Sequence, residues 1–192
     1  MDDKIIRTFL CLPVTREIML KKTMLYSTLE ETKSKINWVK NSNLHLTLKF
    51  IGQTPESCLK EIIYNVSTIT SIIKPFKLKI SGTGCFPSDT KPRTLWLGVS
   101  GDLKPLINLV LKIEKKLYEI GFSKEKKILI PHITVARINY PQKIIPDVNI
   151  FLNSSYDTID LEVNRLQFFS SELLSSGAIY SLLKTFPLGE NI

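Results

Sequence analysis

The chain has 192 residues, 43% hydrophobic and 23% charged, which supports one full hydrophobic core and excludes a disordered polymer. With 26 basic against 18 acidic residues the formal charge is +8, favouring an anionic partner: nucleic acid or a phosphorylated small molecule ahead of an anionic membrane surface. No run approaches the ~20 apolar residues that cross a bilayer. Met1-Asp2-Asp3-Lys4 is acidic where a signal peptide is basic, and Cys11, Cys58 and Cys85 form no CxxC pair. The expectation is a cytoplasmic protein whose cysteines are small buried hydrophobes, with neither a disulfide framework nor a zinc site.

In chain order, Ile5 to Leu12 alternates loosely and stops at Pro13, as a strand does. Thr15 to about Ile36 carries apolar residues at helical spacing, with Thr15 placed to cap the helix. Asn43 to Ile51 alternates and ends at Gly52, and Thr54-Pro55-Glu56 then opens a helix running to about Ile72. Phe76 to Ile80 is a strand, Ser81 to Pro92 a Gly-containing connection, and Thr94 to Val99 another strand. Asp102 to about Ile120 is amphipathic and closes at Gly121. Ile130 to Ile138 is a strand, and Asp157–Ser170 and Ala178–Phe186 form a hairpin turning at Ser175-Ser176-Gly177. Interleaved helices and hairpin-like strands predict an α+β fold with largely antiparallel sheets, and a faint internal echo suggests two facing lobes.

The chain's two histidines both lie in one kind of tetrad: His45-Leu46-Thr47-Leu48 and His132-Ile133-Thr134-Val135. On a strand, residues i and i+2 share a face, so each tetrad offers an imidazole beside a hydroxyl while its aliphatic residues enter a core. Two such strands brought together surround one small space with two imidazoles and two hydroxyls. With unperturbed pKa values near ~6.5, one imidazole can serve as base and the other as acid. The hydroxyls can donate to non-bridging phosphoryl oxygens as charge develops there. A satisfied structural histidine is the plain alternative for one tetrad, and metal binding is a third option lacking identifiable further ligands.

At these residues the chain resembles the 2H phosphoesterase superfamily, and within it the RNA 2′,3′-cyclic phosphodiesterases, or 2′-5′ RNA ligase-like proteins. Trp38-Val39 with Asn43 to Gly52, Phe86-Pro87 with Pro92 to Val99, and Pro131 to Arg137 carry the resemblance, as do Ser171-Glu172-Leu173 and Tyr180. It runs from the first strand to about Phe186, and the whole chain, 1–192, is expected to be one such domain.

The resemblance implies a bilobal fold with a pseudo-two-fold axis and a cleft between antiparallel sheets, helices outside. It implies metal-independent, cofactor-free hydrolysis of RNA 2′,3′-cyclic phosphate ends to 2′-phosphomonoesters, with reversible 2′-5′ RNA ligation beside it. His45 is then the proton donor and His132 the acceptor, with Thr47, Thr134 and Arg137 on the phosphate. Arg137 falls five residues after His132, so on a straight strand it points away and needs a bulge, a strand end or a long reach. Parity puts Lys49 on the His45/Thr47 face. Lys91 and Arg93 are candidates to border RNA or plain surface, while Trp38 and Trp96 read as core. The partner is RNA with a cyclic phosphate end or a small cyclic nucleotide, not a membrane, and the protein is expected to be a monomer. Alternatives are the same chemistry on a 2′-5′ oligonucleotide, an ADP-ribose cyclic phosphate or an RNA 3′ tail, and a non-catalytic RNA-binding module.

Overall fold

A computed structural model of the chain describes residues 3–29, 34–125, 128–174 and 177–189. The elements run β1 (Ile5–Pro13), α1 (Arg16–Met24), β2 (Ile36–Trp38), β3 (His45–Pro55), α2 (Leu59–Thr70), β4 (Phe76–Phe86) and β5 (Thr94–Ser100). They continue with α3 (Lys104–Glu119), β6 (His132–Ile138), α4 (Asn149–Leu152), β7 (Ile159–Val163), β8 (Arg165–Leu174) and β9 (Gly177–Pro187).

Several boundaries differ from the sequence expectation, each for a local reason. The Thr15 hydroxyl caps α1 by accepting from the Ile18 amide, but the helix stops at Met24 and tightens into a 3₁₀ turn over Leu25–Leu29. Ile36, expected at the helix end, instead opens β2 and pairs with Ile138. Pro55 stays extended at ψ 136°, because its strand is paired as far as Ile5↔Pro55; the helical chain begins just after it as a 3₁₀ turn over Glu56–Cys58 that leads into α2 at Leu59. The Ser81–Phe86 part of the expected connection is strand, held to β5 through Phe86↔Thr94. The run from Asp157 breaks at Asn164 into β7 and β8, which pair with β4 and β1 respectively. Gly121 closes α3 as expected, at φ 96°, with the Phe122 amide returning to the Leu117 carbonyl at 2.9 Å. The hairpin of β8 and β9 forms; Ser175 and Ser176 of its expected turn lie outside the described residues.

The strands form one nine-stranded sheet in the order β7-β4-β5-β6-β3-β1-β8-β9, with β2 also on β6. All its pairings are antiparallel. It divides into two four-strand halves, β7-β4-β5-β6 and β3-β1-β8-β9. The inner strand of each half carries one tetrad, and the halves meet through a single pair, Leu46↔Ile133. The α+β, two-lobed expectation holds, with one refinement: the lobes share a sheet.

Helices cover one face of this sheet. Ile62, Val66 and Ile69 of α2 and Leu106, Leu109, Ile113 and Leu117 of α3 recur at helical spacing. They pack in one core with Leu10, Leu46, Leu48, Leu95, Leu97, Ile133 and Val135 from the strands. Of the cysteines only Cys11 is buried; Cys58 and Cys85 are half-buried, which corrects the expectation of three buried thiols.

Candidate active site

Leu46 and Ile133 at the seam are fully buried toward the helices. Alternation then turns His45 and Thr47, and His132 and Thr134, to the other face, where all four are half-buried. Register makes the two motif strands neighbours, paired through the second residue of each tetrad, so that both tetrads lie at the seam on one sheet face.

Both imidazoles are fixed in the same way. Nδ1 of His45 lies 2.8 Å from the Asn43 carbonyl oxygen, and Nδ1 of His132 lies 2.7 Å from that of Ile130. A carbonyl only accepts, so Nδ1 carries the proton in each ring and Nε2 is left to take or give the mobile one. Neither Thr47 nor Thr134 spends its hydroxyl on a partner among the described residues. Burial pushes the His45 pKa below its ordinary value; the Asn43 carbonyl opposes this, and the charges of Arg137 and His132 add to it. Those couplings show both groups to be within electrostatic reach of His45.

Each motif strand bulges at the last residue of its tetrad. On β3, Leu10↔Lys49 is followed by Cys11↔Thr47, leaving Leu48 as the extra residue. On β6, Leu95↔Ala136 is followed by Trp96↔Thr134, leaving Val135 extra. Burial repeats the pattern: two buried residues follow each Thr (Leu48 and Lys49, Val135 and Ala136), then an exposed one, Phe50 or Arg137. The β6 bulge returns Arg137 to the His132/Thr134 face, opposite Thr94. That is the device a straight strand lacked.

The β3 bulge does the reverse to Lys49, whose expected place on the cleft face is corrected. Lys49 is 5% exposed on the helix side, paired at 2.8 Å with Glu114 of α3 and donating at 2.8 Å to the Ser123 carbonyl. Phe50, which alternation puts in the core, is 59% exposed instead.

Aromatic rings wall each imidazole. Phe9 lies 4.9 Å from His45, and Tyr180 meets it edge-on at 5.5 Å. Phe86 meets His132 edge-on at 5.1 Å, and Trp96 lies at 6.1 Å. Trp96, read as core, is thus part of the cleft, its ring laid over Gly84, where an added Cβ would fall 2.2 Å from the indole. Trp38 packs at the core margin as expected, 4.2 Å from Tyr26. Phe9 and Phe50 were invisible to sequence reasoning because each depends on cross-strand register, whereas the two carbonyls are local, each two residues before its histidine, and depend on a backbone turn that no side chain signals. Val135-Ala136, two apolar residues in succession, was the one available signal of a bulge. No group of three or more His, Cys, Asp or Glu gathers as metal ligands among the described residues.

Residues 13–96 match the family model of LigT-like phosphoesterases. A protein of Aquifex aeolicus is 36% identical over 157 residues, 79% of this chain and 81% of the relative. One of Thermotoga maritima is 30% identical over 181 residues, 92% of each chain. The chain belongs to the LigT-like 2H phosphoesterases. Both relatives of this LigT-like chain bear the name RNA 2′,3′-cyclic phosphodiesterase. In fold, it resembles a crystal structure of a Thermus thermophilus protein with TM-score 0.82 at 22% identity, covering 97% of this chain and 100% of that one. Escherichia coli LigT complexed with 3′-AMP gives TM-score 0.77 at 21% identity, covering 96% and 99%.

Proposed function

We propose that this LigT-like chain hydrolyses RNA 2′,3′-cyclic phosphate ends to 2′-phosphomonoesters without a metal or cofactor, by paired-histidine acid–base catalysis. The observation that carries the reading is the common tautomer of His45 and His132 on adjacent strands, two free Nε2 atoms on one sheet face. The names of the relatives support the substrate. His132 Nε2 takes a proton from water as its oxygen attacks phosphorus. His45 Nε2, protonated, gives its proton to the departing 3′ oxygen as the P–O3′ bond breaks. In both steps Nδ1–H stays on its carbonyl, so neither ring turns. The hydroxyls of Thr47 and Thr134 and the Arg137 guanidinium hold the non-bridging oxygens as charge develops. With an RNA 5′-OH attacking in place of water, the same groups in the same roles form a 2′-5′ linkage, and with exchanged roles they return it to the cyclic phosphate and the 5′-OH.

The proposal extends to one catalytic domain over 1–192, acting as a monomer in the cytoplasm. Among the described residues no helix is long and apolar enough to cross a membrane. The test is conversion of a 2′,3′-cyclic nucleotide in EDTA, with product identified by mass spectrometry. Full activity and a 2′-monoester are expected. Loss by roughly 10²–10⁴ is expected for His45→Ala and for His132→Ala, with folding retained by circular dichroism. Chelator-sensitive activity, or release of a 3′-monoester, overturns the mechanism.

A further inference from the structure

Strand β5 begins and β6 ends at one edge of the cleft, and the residues just outside the sheet there are cationic. Thr94 faces Arg137 in register. Immediately before it, the Arg93 carbonyl accepts from the Ile138 amide at 2.9 Å, and the Arg93 amide donates to the Phe86 carbonyl at 2.7 Å. Arg93 is therefore held by backbone diagonally next to Arg137, at the sheet edge, with alternation turning its side chain to the Ile138 side. Lys91 lies two residues further out.

A single ring organises the two outer cations: Lys91 Nζ and Arg93 Cζ each lie 5.5 Å from the centroid of Tyr140. Tyr140 itself is anchored by its hydroxyl, which donates to the Pro92 carbonyl at 3.1 Å. Lys91 and Arg93 are exposed, and neither they nor Arg137 take part in an ion pair among the described residues. The loop's one acid, Asp89, is felt at Cys85. Three unneutralised cations thus gather at this sheet edge, Arg137 on the cleft face and two beyond it pre-ordered on an aromatic face, where cation–π attraction limits the entropy lost on binding.

We propose that Lys91, Arg93 and Tyr140 form a track for the phosphodiester backbone upstream of the reacting end, so that the enzyme selects oligonucleotide ends over mononucleotides. This rests on the phosphodiesterase reading of the cleft. A mononucleotide cyclic phosphate brings a single phosphate, which the imidazoles and Arg137 take. A polynucleotide adds phosphates one by one along the edge that carries Arg93 and Lys91. Charge contacts of this kind position a strand without reading its sequence.

The test measures binding of a 2′-phosphate-ended octaribonucleotide and of a 2′-mononucleotide across a salt series, beside turnover of the two cyclic phosphates. In the Lys91→Ala/Arg93→Ala protein, octamer affinity should fall about tenfold or more at low salt. Its log–log salt slope should shrink by roughly 1.4, two single-strand phosphates at ~0.7 each. Mononucleotide binding and turnover should stay as in the wild type. Unchanged octamer affinity, or equal losses on both ligands, overturns the track. Should the wild type hydrolyse neither substrate while the double variant still loses octamer affinity, the track stands and the phosphodiesterase reading falls. The Lys91→Gln/Arg93→Gln protein is read in the same way if the alanine pair does not fold.

Discussion

His45 is the residue whose environment departs most from that of a free imidazole. Burial, Arg137 and His132 all disfavour its charged form, and only the Asn43 carbonyl opposes them. Its pKa should therefore titrate below the ordinary ~6.5 in the free protein. With two imidazoles in the chain, NMR of the ring protons assigns both from one variant. As the proposed acid, His45 must be charged to act, so kcat/KM should decline as pH rises through this lowered value. Removing the guanidinium in Arg137→Gln takes away one depressing charge. The His45 titration and the alkaline limb should then both move to higher pH, while the rate falls with the lost phosphate contact. If the limb stays put as the NMR titration moves, His45 is not the acid, and the donor and acceptor roles exchange. Arriving substrate carries negative charge next to the ring and pushes in the charging direction. The kcat profile should accordingly reach higher pH than that of kcat/KM.

At the scale of elements, the two bulges decide what the motif strands present. Without the one on β3, Lys49 would share the cleft; with it, Lys49 ties that strand to α3 and to the loop after it. Lys49→Met strands Glu114 with little solvent and should destabilise the fold by about 3 kcal/mol in urea denaturation. The Lys49→Met/Glu114→Leu pair should recover much of that loss, because the cost lies in the orphaned charge. Gly84 tests the other lobe. A methyl at that position overlaps the Trp96 ring, so Gly84→Ala should shift Trp96 fluorescence and lower turnover by displacing the ring next to His132. An unchanged spectrum with normal kcat removes Trp96 from the cleft wall. The tetrads, their strands and the hairpin were legible because alternation and turn chemistry are local. The faces of Lys49 and Phe50 were not, because one inserted residue reverses every later side chain and the pairing that inserts it comes from a distant strand; for Arg137 the sequence left a bulge as one of three routes to the cleft. Pro55 misled for a related reason: its fixed φ suits a helix start and an extended strand end equally, and only the pairing with Ile5 chooses.

At the scale of the whole molecule, the two halves repeat each other position by position. His45, Thr47 and Phe50 face Pro13, Cys11 and Phe9; His132, Thr134 and Arg137 face Gly98, Trp96 and Thr94. The equivalence of Phe50 and Arg137 breaks the symmetry, giving one lobe an aromatic flank and the other a cationic one. A reaction with a distinct attacking side and leaving side needs that polarity. The halves hold their relative position through the core beneath them and through the Leu46↔Ile133 pair, so the distance between the imidazoles is set by packing at the seam. Leu46→Ala and Ile133→Ala each empty a fully buried site there, as Leu78→Ala does within one lobe. All three should cost about 2–5 kcal/mol. Assayed well below their melting temperatures, however, the two seam variants should lose kcat by tenfold or more, since a shift of about 1 Å between catalytic groups costs up to ~10². Leu78→Ala should keep near-normal kcat at matched folded fraction. Equal kcat in all three would mean that the histidines are placed within their own lobes and that the seam contributes stability alone.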